Sequence, residues 1–373
     1  MFRNLIAPFE DYSQENDFFI TKIIRNIEKV LELKSEHEHE KYIESFEKAF
    51  AEYNGSKYAI AVNSGTAALE LALKASGIKE NDEVILPSYT YISSALAVSN
   101  IGAIPKFVDI KHATLTIDPY KIQENINNKT KALMPVHIHG NPCEIDKIME
   151  IARKNSLAVI EDCSHAHGAE YGNKKVGNFG IGCFSCHSSK IFSGMGNSGL
   201  ITINNAKIYD TIKKMTYVKN NPELILSKRT PCKIDVMQTA ILGAKLPYLE
   251  KIISRRRKIA YEYMKNMPTD IFYQKEEKKS RHVYRDFIIL SKNREKIKAR
   301  LHENSIQAKI RYNFPLHLTE YYRYLGYKDG DLPVVEKVLK KALWLPISYA
   351  MPERKIAYIC DLITKYMHEY NSK

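Results

Sequence analysis

Residues 132–162, ALMPVHIHGNPCEIDKIMEIARKNSLAVIED, contain two apolar runs separated by a longer and more polar stretch. The runs at 132–140 and 157–162 predict strands, and the helical spacing of apolar residues over 145–154 predicts the helix that joins them. Strands joined through a helix pair in parallel, and their carboxyl ends meet at one edge of the sheet. This stretch therefore indicates an α/β fold with its functional residues at that edge.

The same alternation continues towards the amino terminus, where further strands are predicted at 58–62, 83–87 and 104–109 and a helix at 67–75. After about residue 249 the pattern changes. A charged helix is predicted at 255–267 and is followed by a break rich in Lys and Glu at 275–279. One strand is then predicted at 284–290, and two helices at 294–303 and 336–343. We therefore predict a large domain, residues 1–249, that includes an N-terminal helical segment, and a smaller α+β domain, residues 250–373.

The composition is that of a folded protein with an ordinary core. Of 373 residues, 44% are hydrophobic and 27% charged. No run approaches the roughly 18 consecutive apolar residues of a membrane span, and the first residues do not resemble a secretory signal. Six cysteines are few for a chain of this length, which argues against a disulfide scaffold. We expect a cytoplasmic protein with no membrane partner.

The chain carries a net charge of +13, because 56 Lys and Arg residues exceed 43 Asp and Glu residues. These positive charges are scattered among acidic residues, so the sequence gives no indication of nucleic-acid binding. The densest basic run, residues 255–258, is interpreted as a solvated helix face. The excess positive charge is also compatible with attraction of an anionic small substrate.

A turn of small residues follows the predicted strand at 58–62. Residues 63–69 read NSGTAAL, and free backbone N–H groups at the start of the next helix make such a turn a phosphate site. The alternative is a simple helix cap at Ser64 or Thr66.

Two carboxylates, Glu161 and Asp162, end the apolar strand at 157–162. A partly buried carboxylate requires a cationic partner, unless it only caps the next helix. Nearby, His165 and His167 are two residues apart, a spacing that does not place both imidazoles on one helix face, so we predict no metal site.

Lys190 follows another predicted core strand and lies among small polar residues. A lysine in such a place can have a lowered pKa and form a Schiff base with an aldehyde. Cys183 and Cys186 precede it, but at this odd spacing in a strand their thiols point to opposite faces. We therefore predict neither redox chemistry nor zinc binding for this pair.

Together these stretches resemble the DegT/DnrJ/StrS family of pyridoxal-phosphate-dependent sugar aminotransferases. The resemblance spans nearly the whole chain and rests on the stretches FEKAFAEY at 46–53, NSGTAAL at 63–69, EDCSHAHGA at 161–169, VGNFG at 176–180, FS five residues before Lys190, and FPLH at 314–317. It implies the fold-type I architecture of aspartate aminotransferase, with a mostly parallel sheet in the large domain and a smaller C-terminal α+β domain. It also implies a homodimer with active sites at the interface.

The resemblance also implies roles for individual residues. Lys190 would form the Schiff base with pyridoxal phosphate and shuttle the proton, and Asp162 would hold the pyridine nitrogen protonated. Tyr91 would stack on the cofactor ring, and His165 would lie near its phenolic oxygen. The residues that would bind the cofactor phosphate are Gly65, Thr66, Ala67 and Ser185.

Three stretches depart from the usual family pattern. The loop after the lysine reads MGNS at 195–198, and the segment that a neighbouring subunit lends to the phosphate site reads PCKI at 231–234. Residues 311–315 read RYNFP, where relatives often have His-Tyr. Candidate anion or substrate ligands in or near the last two stretches are Lys228, Arg229, Lys233, Arg311 and His317.

The function that the resemblance implies is transfer of an amino group from glutamate or glutamine to a nucleotide-linked keto-sugar, for amino sugars of surface glycans. Two alternatives within the same chemistry stay open, a cyclitol ketone or unlinked keto-sugar as acceptor, and an elimination reaction. Elimination is disfavoured because dehydratases of the family replace the lysine with histidine, whereas this chain keeps Lys190. A non-enzymatic regulator that binds nucleic acid is a further alternative. It is disfavoured because the sequence shows no helix-turn-helix pattern beside the aminotransferase-like region.

Overall fold

The computed structural model describes residues 12–216 and 232–371. Two helices, α1 (Tyr12–Leu31) and α2 (Glu36–Asn54), precede a seven-stranded sheet. Its strands are β1 (Tyr58–Val62), β2 (Glu83–Pro87), β3 (Ile104–Val108), β4 (Thr130–Leu133), β5 (Ala158–Asp162), β8 (Ile181–Ser185) and β9 (Gly199–Ile203). The helices connected to them are α3 (Gly65–Ala75), α4 (Ile92–Asn100), α5 (Pro119–Glu124), α6 (Ile145–Lys154) and α7 (Ala206–Thr216).

The remaining elements are one further helix, the C-terminal part of the fold and a small accessory sheet. Helix α8 (Val236–Lys245) packs against α1 and α2. Helices α9 (Leu249–Asn266), α10 (Arg294–Glu303), α11 (Pro333–Leu339) and α12 (Glu353–Asn371) belong to the C-terminal part. Its antiparallel sheet has the order β10 (Phe272–Tyr273), β12 (Phe287–Leu290), β13 (Ala342–Leu345). Two short strands after β5 pair with one from the C-terminal part, in the order β11 (Ser280–Arg281), β6 (Glu170–Tyr171), β7 (Lys174–Lys175).

The large sheet has the strand order β1-β9-β8-β5-β4-β2-β3, with β9 antiparallel to both of its neighbours and the other strand pairs parallel. It is buried on both faces. Cys183 of β8 packs into one core cluster, whereas its neighbour Phe184 packs into another on the opposite face. This alternation confirms that the sheet lies between helical layers, as the apolar runs of the sequence require.

The carboxyl ends of β1, β2, β5 and β8 lie at one edge of the sheet, because these strands run in the same direction. The antiparallel strand β9 begins at that edge. The segments that leave or enter the sheet there are the ones in which the sequence placed its candidate residues. The mostly parallel α/β fold is therefore confirmed, whereas the division into domains at residue 249 stays a prediction.

The strand predicted at 132–140 is shorter in the structure. It ends at Leu133, and a single parallel bridge between Val136 and Asp162 continues the pairing. Pro135 lacks the N–H that a central strand would donate, which explains the early end. The chain then turns through a short 3-10 segment in which His139 has a φ of 61°.

Two predictions in the C-terminal part are also corrected. The strand predicted at 284–290 begins only at Phe287, because Tyr284 adopts a φ of 48° and the next two residues turn towards the large sheet. The helix predicted at 336–343 is the end of α11, followed by the strand β13, which pairs along its whole length with β12.

The basic run at 255–258 lies on α9 but is not a uniformly solvated face, as the sequence had indicated. Arg256 is buried, and its guanidinium donates to the carbonyl oxygens of Ile347 and Arg285. Arg256 therefore fixes the backbone at Arg285, just before β12. Among the helices of the described ranges, none combines the length and apolar character of a membrane crossing.

Candidate active site

A cavity of about 370 Å³ lies at the edge of the sheet where the parallel strands end. It is lined by the segments that follow β1, β2, β4, β5 and β8, by residues just before β9, and by residues of the C-terminal part. Eight of the residues singled out in the sequence line it together: Gly65, Thr66, Tyr91, Asp162, His165, Ser185, Lys190 and Arg311.

The end of the cavity near β1 is formed by the turn that precedes α3 and by the first residues of that helix. Ser64 caps α3, with its Oγ accepting from the N–H of Ala67 at 3.1 Å. Ala67 is not among the residues that line the cavity, and its predicted contact with a phosphate stays a prediction. The first N–H groups of α3, at Gly65 and Thr66, have no carbonyl within the helix to bind and lie at its positive end.

Asp162 ends β5 and is almost fully buried, with a side chain 4% exposed. Its Oδ2 accepts a hydrogen bond from Ser94 Oγ at 2.7 Å, and its Oδ1 accepts from the N–H of Ser164 at 3.0 Å. Ser94 Oγ in turn lies 2.8 Å from Thr90 Oγ1. These contacts fix the orientation of the carboxylate at the cavity wall. The sequence reasoning did not find Ser94, which is brought to Asp162 from the first turn of α4.

Glu161 points to the opposite face of β5 and has a structural role. Its carboxylate accepts three backbone N–H groups, from Gly177, Phe179 and Gly180, at 2.7–2.9 Å, and lies 3.1 Å from His137 Nε2. Burial alone would raise the pKa of Glu161, but these hydrogen bonds outweigh it and the pKa is lowered. Of the two carboxylates that the sequence placed here, only Asp162 therefore serves the cavity.

Lys190 lies five residues beyond the end of β8. Its backbone N–H donates to the carbonyl of His187, which shapes the turn. Burial lowers the pKa of its amine to about 7, and the nearby positive charges of Arg285 and Arg311 act in the same direction, against Asp162 and Asp286. A substantial part of the Lys190 population is therefore neutral, and so nucleophilic, at neutral pH.

His165 lies on the cavity wall as a neutral donor. Its Nδ1 accepts the backbone N–H of His139 at 3.2 Å, which places the proton of the neutral ring on Nε2. Burial, with help from the charges of Lys190 and Arg285, lowers its pKa well below the ordinary value. His165 is thus held uncharged, with an N–H available to an oxygen acceptor.

Behind His165 lies a buried chain of polar groups that the sequence did not reveal. His139 Nδ1 lies 2.8 Å from Asp286 Oδ2, and its Nε2 lies 3.0 Å from the hydroxyl of Tyr89. Asp286 also contacts the guanidinium of Arg285. Burial opposes ionisation of Asp286, but Arg285 and His139 hold the pKa of its carboxyl well below the usual range. The ligand atoms of His139, His165 and Asp286 lie within 4.8 Å of one another, yet they are engaged in these hydrogen bonds.

The loop at 195–198, which departs from the family pattern, is hydrogen-bonded to α8. Gln238 accepts from the N–H of Met195 and donates to its carbonyl, both at 2.9 Å. Ser198 Oγ donates to the carbonyl of Cys186 at 3.0 Å, and Asn197 and Ser198 both line the cavity. The altered loop therefore still forms the wall beside Lys190.

Two other predicted ligands, His317 and Lys233, do not line the cavity of the single chain. His317 is buried, with one ring nitrogen 2.8 Å from Ser88 Oγ and the other 3.2 Å from Glu336 Oε1, and it is not among the lining residues. Lys233 lies by the carboxylates of Glu36 and Glu40 on α2. The candidates Lys228 and Arg229 lie outside the described residues.

Tyr91 lies at the mouth of the cavity, at the residue that precedes α4, and is 56% exposed. Its stacking on a cofactor ring stays a prediction. The thiols of Cys183 and Cys186 occupy opposite faces of the sheet, as the odd spacing predicted.

Comparisons with known proteins agree with this geometry. The model of the DegT/DnrJ/EryC1/StrS aminotransferase family matches residues 19–364. The chain is 31% identical over 372 residues to a pleiotropic regulatory protein of Geobacillus stearothermophilus, covering 98% of this chain and 99% of the relative. It is 35% identical over 369 residues to the dTDP-3-amino-3,6-dideoxy-alpha-D-galactopyranose transaminase of Aneurinibacillus thermoaerophilus, covering 97% and 99%.

A solved structure shares the same fold over nearly the whole chain. The crystal structure of S. venezuelae DesV in complex with a ketimine intermediate superposes with a TM-score of 0.91 at 29% sequence identity. The superposition covers 97% of this chain and 98% of that one.

Proposed function

This chain belongs to the DegT/DnrJ/EryC1/StrS aminotransferase family, and from this premise we propose that it transfers an amino group from an amino acid to a nucleotide-linked keto-sugar. The observation that carries the proposal is the meeting of three elements in one cavity. These are the neutralisable amine of Lys190, the fixed carboxylate of Asp162 and the anion-binding start of α3.

We propose pyridoxal phosphate as the cofactor, because the residues of the cavity fit each of its parts. The start of α3 with Ser185 suits the phosphate, Asp162 suits a protonated ring nitrogen, and His165 Nε2–H suits the phenolic oxygen. A Cβ at Gly65 would lie 2.6 Å from that of Ser185, so the cradle leaves room only for a residue without a side chain. When bound, the cofactor supplies an electron sink and carries the amino group between the two substrates.

Lys190 has two tasks in this proposal. Its neutral Nζ provides the covalent attachment point before a substrate binds. Once released, the same Nζ takes the proton from the carbon that bears the donor's amino group, and returns a proton to the keto carbon of the acceptor. An amine with a pKa of about 7 suits both directions at neutral pH.

Asp162 and His165 each interact with one polar atom of the bound cofactor, Asp162 with the ring nitrogen and His165 with the phenolic oxygen. The carboxylate of Asp162, oriented by Ser94 and the N–H of Ser164, stabilises a positive charge at the ring nitrogen. The neutral His165 donates from Nε2 without adding a charge to a cavity that already contains Lys190, Arg285 and Arg311.

Replacement of Gly65 with alanine tests the phosphate cradle. The new Cβ would overlap Ser185, and overpacking of this kind costs roughly 1–3 kcal/mol, so we expect the Kd for pyridoxal phosphate to rise by roughly 10- to 100-fold. Equilibrium dialysis of the cofactor measures it. Gly243→Ala in α8 is the matched control, since its Cβ would meet only atoms 3.8 Å away or more. Equal affinity in the two variants would contradict the cradle.

The pH dependence of cofactor uptake tests the state of Lys190. Because a lowered pKa leaves the amine neutral above about 7, we expect the uptake rate of cofactor-free protein to rise about tenfold per pH unit below that point. Above pH 8 the rate should be level. Stopped-flow absorbance measures it between pH 5.5 and 9.5. A rate that still climbs tenfold between pH 8 and 9 would indicate an unshifted lysine.

The acceptor is proposed as a nucleotide-linked ketone because Arg311 lines the cavity and brings positive charge to it, in addition to Arg285, whose charge is paired with Asp286. The relative from Aneurinibacillus thermoaerophilus, named as a transaminase of a dTDP-linked amino sugar, agrees with this choice. Amination of the same keto-sugar with and without its nucleotide diphosphate, followed by mass spectrometry, tests it. We expect the linked form to react with a kcat/KM at least tenfold higher. Equal turnover of both forms, or a preference for a cyclitol ketone, would contradict the proposal.

We further propose that the chain acts as a homodimer with the cavity at the interface. The observation in support is that Tyr91, at the mouth of the cavity, and Met195, in its loop, are large apolar side chains exposed in the single chain. Light scattering of the purified protein distinguishes a dimer from a monomer, and a monomer active at nanomolar concentration would contradict the proposal.

We propose a cytoplasmic location for the enzyme. All six cysteines lie within the described ranges as free, buried thiols, as a reducing compartment allows.

A further inference from the structure

His139 occupies a strained turn directly behind the cavity wall. Its backbone has a φ of 61° and a ψ of 5°, a left-handed conformation that a side chain disfavours. The side chain is fully buried and does not line the cavity, whereas the neighbouring Ile138 does. A residue with a Cβ stays in such a conformation only where its surroundings hold it, and residues of this kind cluster at functional sites. The turn is therefore held by the contacts of the His139 ring.

Both nitrogens of the His139 ring are engaged, in one tautomer. Nδ1 lies 2.8 Å from Asp286 Oδ2, and Nε2 lies 3.0 Å from the hydroxyl of Tyr89. Burial lowers the pKa of His139, so the ring is neutral, and its one proton lies on Nδ1 because the ionised Asp286 can only accept. Burial raises the pKa of the Tyr89 phenol well above its ordinary value, so the phenol keeps its proton and donates it to Nε2. The ring is thus fixed at both ends.

The anchored turn presents its backbone to two partners. The N–H of His139 donates to His165 Nδ1 at 3.2 Å, and its carbonyl accepts the N–H of Asp286 at 3.4 Å. The next residue, Gly140, also has a positive φ, of 93°, and a Cβ there would lie 2.7 Å from Val283 Cγ2. A change of His139 to a right-handed conformation would turn its N–H relative to the anchored ring and away from His165. The ring contacts of His139 and its hydrogen bond to His165 therefore depend on one another.

Resting on the proposed function, we propose that His139 is a positioning residue that keeps the proton of His165 on Nε2, where it is available to the phenolic oxygen of the cofactor. His165 lines the cavity and His139 does not, so His139 acts through His165. A ring nitrogen that accepts an N–H cannot also carry a proton. Nδ1 of His165 is therefore kept as an acceptor, and Nε2–H is the donor that remains.

The surroundings of His165 make the other protonation states unfavourable for the reaction. His165 faces the cations Lys190 and Arg285, and the carboxylate of Asp286 and the neutral ring of His139 face it as well. A second proton, on Nδ1, would add a positive charge beside two cations. A proton moved from Nε2 to Nδ1 would leave the phenolic oxygen without this donor. The N–H of His139 opposes both changes, and its anchor, Asp286, couples the C-terminal part of the fold to the hydrogen bond at the cofactor.

Two substitutions separate this role from simple packing. His139→Leu removes both hydrogen bonds of the ring and disfavours the left-handed turn. His139→Asn tolerates that turn, and its amide can donate to Asp286, so it should preserve the position of the backbone N–H. His37→Leu, at an exposed position of α2, is the matched control for the loss of one histidine.

The first readout is the ring protonation of His165 in the cofactor-free protein, measured by ¹⁵N NMR after labelling of the histidines. The His165→Gln variant identifies the signal by its loss. We expect the wild type, His139→Asn and His37→Leu to show one neutral form of His165, with the proton on Nε2. His139→Leu should gain a population with a proton on Nδ1, which grows as the pH falls from 8 to 6.

The second readout is the pH at which the visible band of the protein loaded with pyridoxal phosphate changes. A phenolic oxygen that loses a hydrogen-bond donor holds a proton more tightly, so we expect the midpoint to rise in His139→Leu by about one pH unit, the size of one hydrogen bond to a charged group. The midpoint in His139→Asn should move less than half as far. If His139→Leu does not fold, Tyr89→Phe, which removes one hydrogen bond of the ring, should raise the midpoint in the same direction.

A purely structural residue would lower the melting temperature and leave both readouts unchanged. Unchanged protonation of His165 and an unchanged midpoint in the substituted protein therefore overturn the assignment, and so does a His139→Asn variant as far from the wild type as His139→Leu. A wild-type protein that forms no visible band refutes the proposed function, and the part of this assignment that concerns the cofactor falls with it. The NMR comparison then still decides whether His139 sets the proton of His165.

Discussion

Replacing Lys190 with alanine should abolish amino transfer. The variant loses both the amine that attaches the cofactor and the base that moves the proton, and general acid–base catalysis alone contributes about 10²- to 10⁴-fold. We expect kcat to fall by at least about 10⁴-fold, because attachment is lost as well. The fold should persist, since the side chain of Lys190 makes no hydrogen bond or ion pair with any residue in the described ranges.

The loss is measured as formation of the amino product by mass spectrometry, together with the visible spectrum of the purified variant. Lys131→Ala, at an exposed position of β4, is the matched control and should keep full activity and colour. Lys190→Arg keeps a positive charge but not a nucleophilic amine, and should be as inactive as the alanine variant. Retained transfer in Lys190→Ala would remove the lysine from the mechanism.

Replacing Asp162 with asparagine should reduce turnover by roughly 10²- to 10⁴-fold, because loss of one partner of a buried ion pair costs about 3–5 kcal/mol. Asparagine keeps the shape, its Oδ1 can still accept from the N–H of Ser164, and its Nδ2 can donate to Ser94 Oγ, so the main loss is the charge. The fall should appear in kcat for both half-reactions, since each needs the ring nitrogen protonated.

Asp210→Asn on the exposed face of α7 is the control for the loss of one carboxylate. Single-turnover bleaching with donor, and recovery of the band with acceptor, separate the two half-reactions. Cofactor content is measured in parallel, because a variant that no longer holds pyridoxal phosphate would lose activity for a different reason. An Asp162→Asn enzyme that is fully loaded and within threefold of wild type would contradict the role assigned to Asp162.

The sequence predicted the central residues of the site because they follow apolar strands, and parallel strands deliver their carboxyl ends to one place. Asp162 and Lys190 are the clearest cases. The apolar run at 157–162 does not by itself show which of the two adjacent carboxylates, Glu161 or Asp162, faces the cavity. The alternation of side chains along β5 decides it, and the three N–H groups that bind Glu161 come from a loop more than a dozen residues away.

The residues that the sequence did not reveal reach the site from distant elements. Ser94 comes from α4, and Arg285 with Asp286 comes from the C-terminal part, so only the tertiary fold brings them near Asp162 and Lys190. One feature of the sequence did indicate Arg285 and Asp286. Two opposite charges directly before the apolar run 287–290 are unusual at the start of a core strand, and they indicate a buried pair. Conversely, His317 lies in a motif of the family pattern, yet its partners are Ser88 and Glu336.

The most direct measurement is the absorption spectrum of the purified protein with pyridoxal phosphate, before and after addition of L-glutamate and then of L-glutamine. We expect a visible band that depends on Lys190 and that bleaches with one of these donors as the amino group is transferred. A band that persists with both donors would keep the cofactor but contradict transamination from these donors. A protein that shows no band after reconstitution with pyridoxal phosphate would contradict the central claim that this cavity holds the cofactor of an aminotransferase.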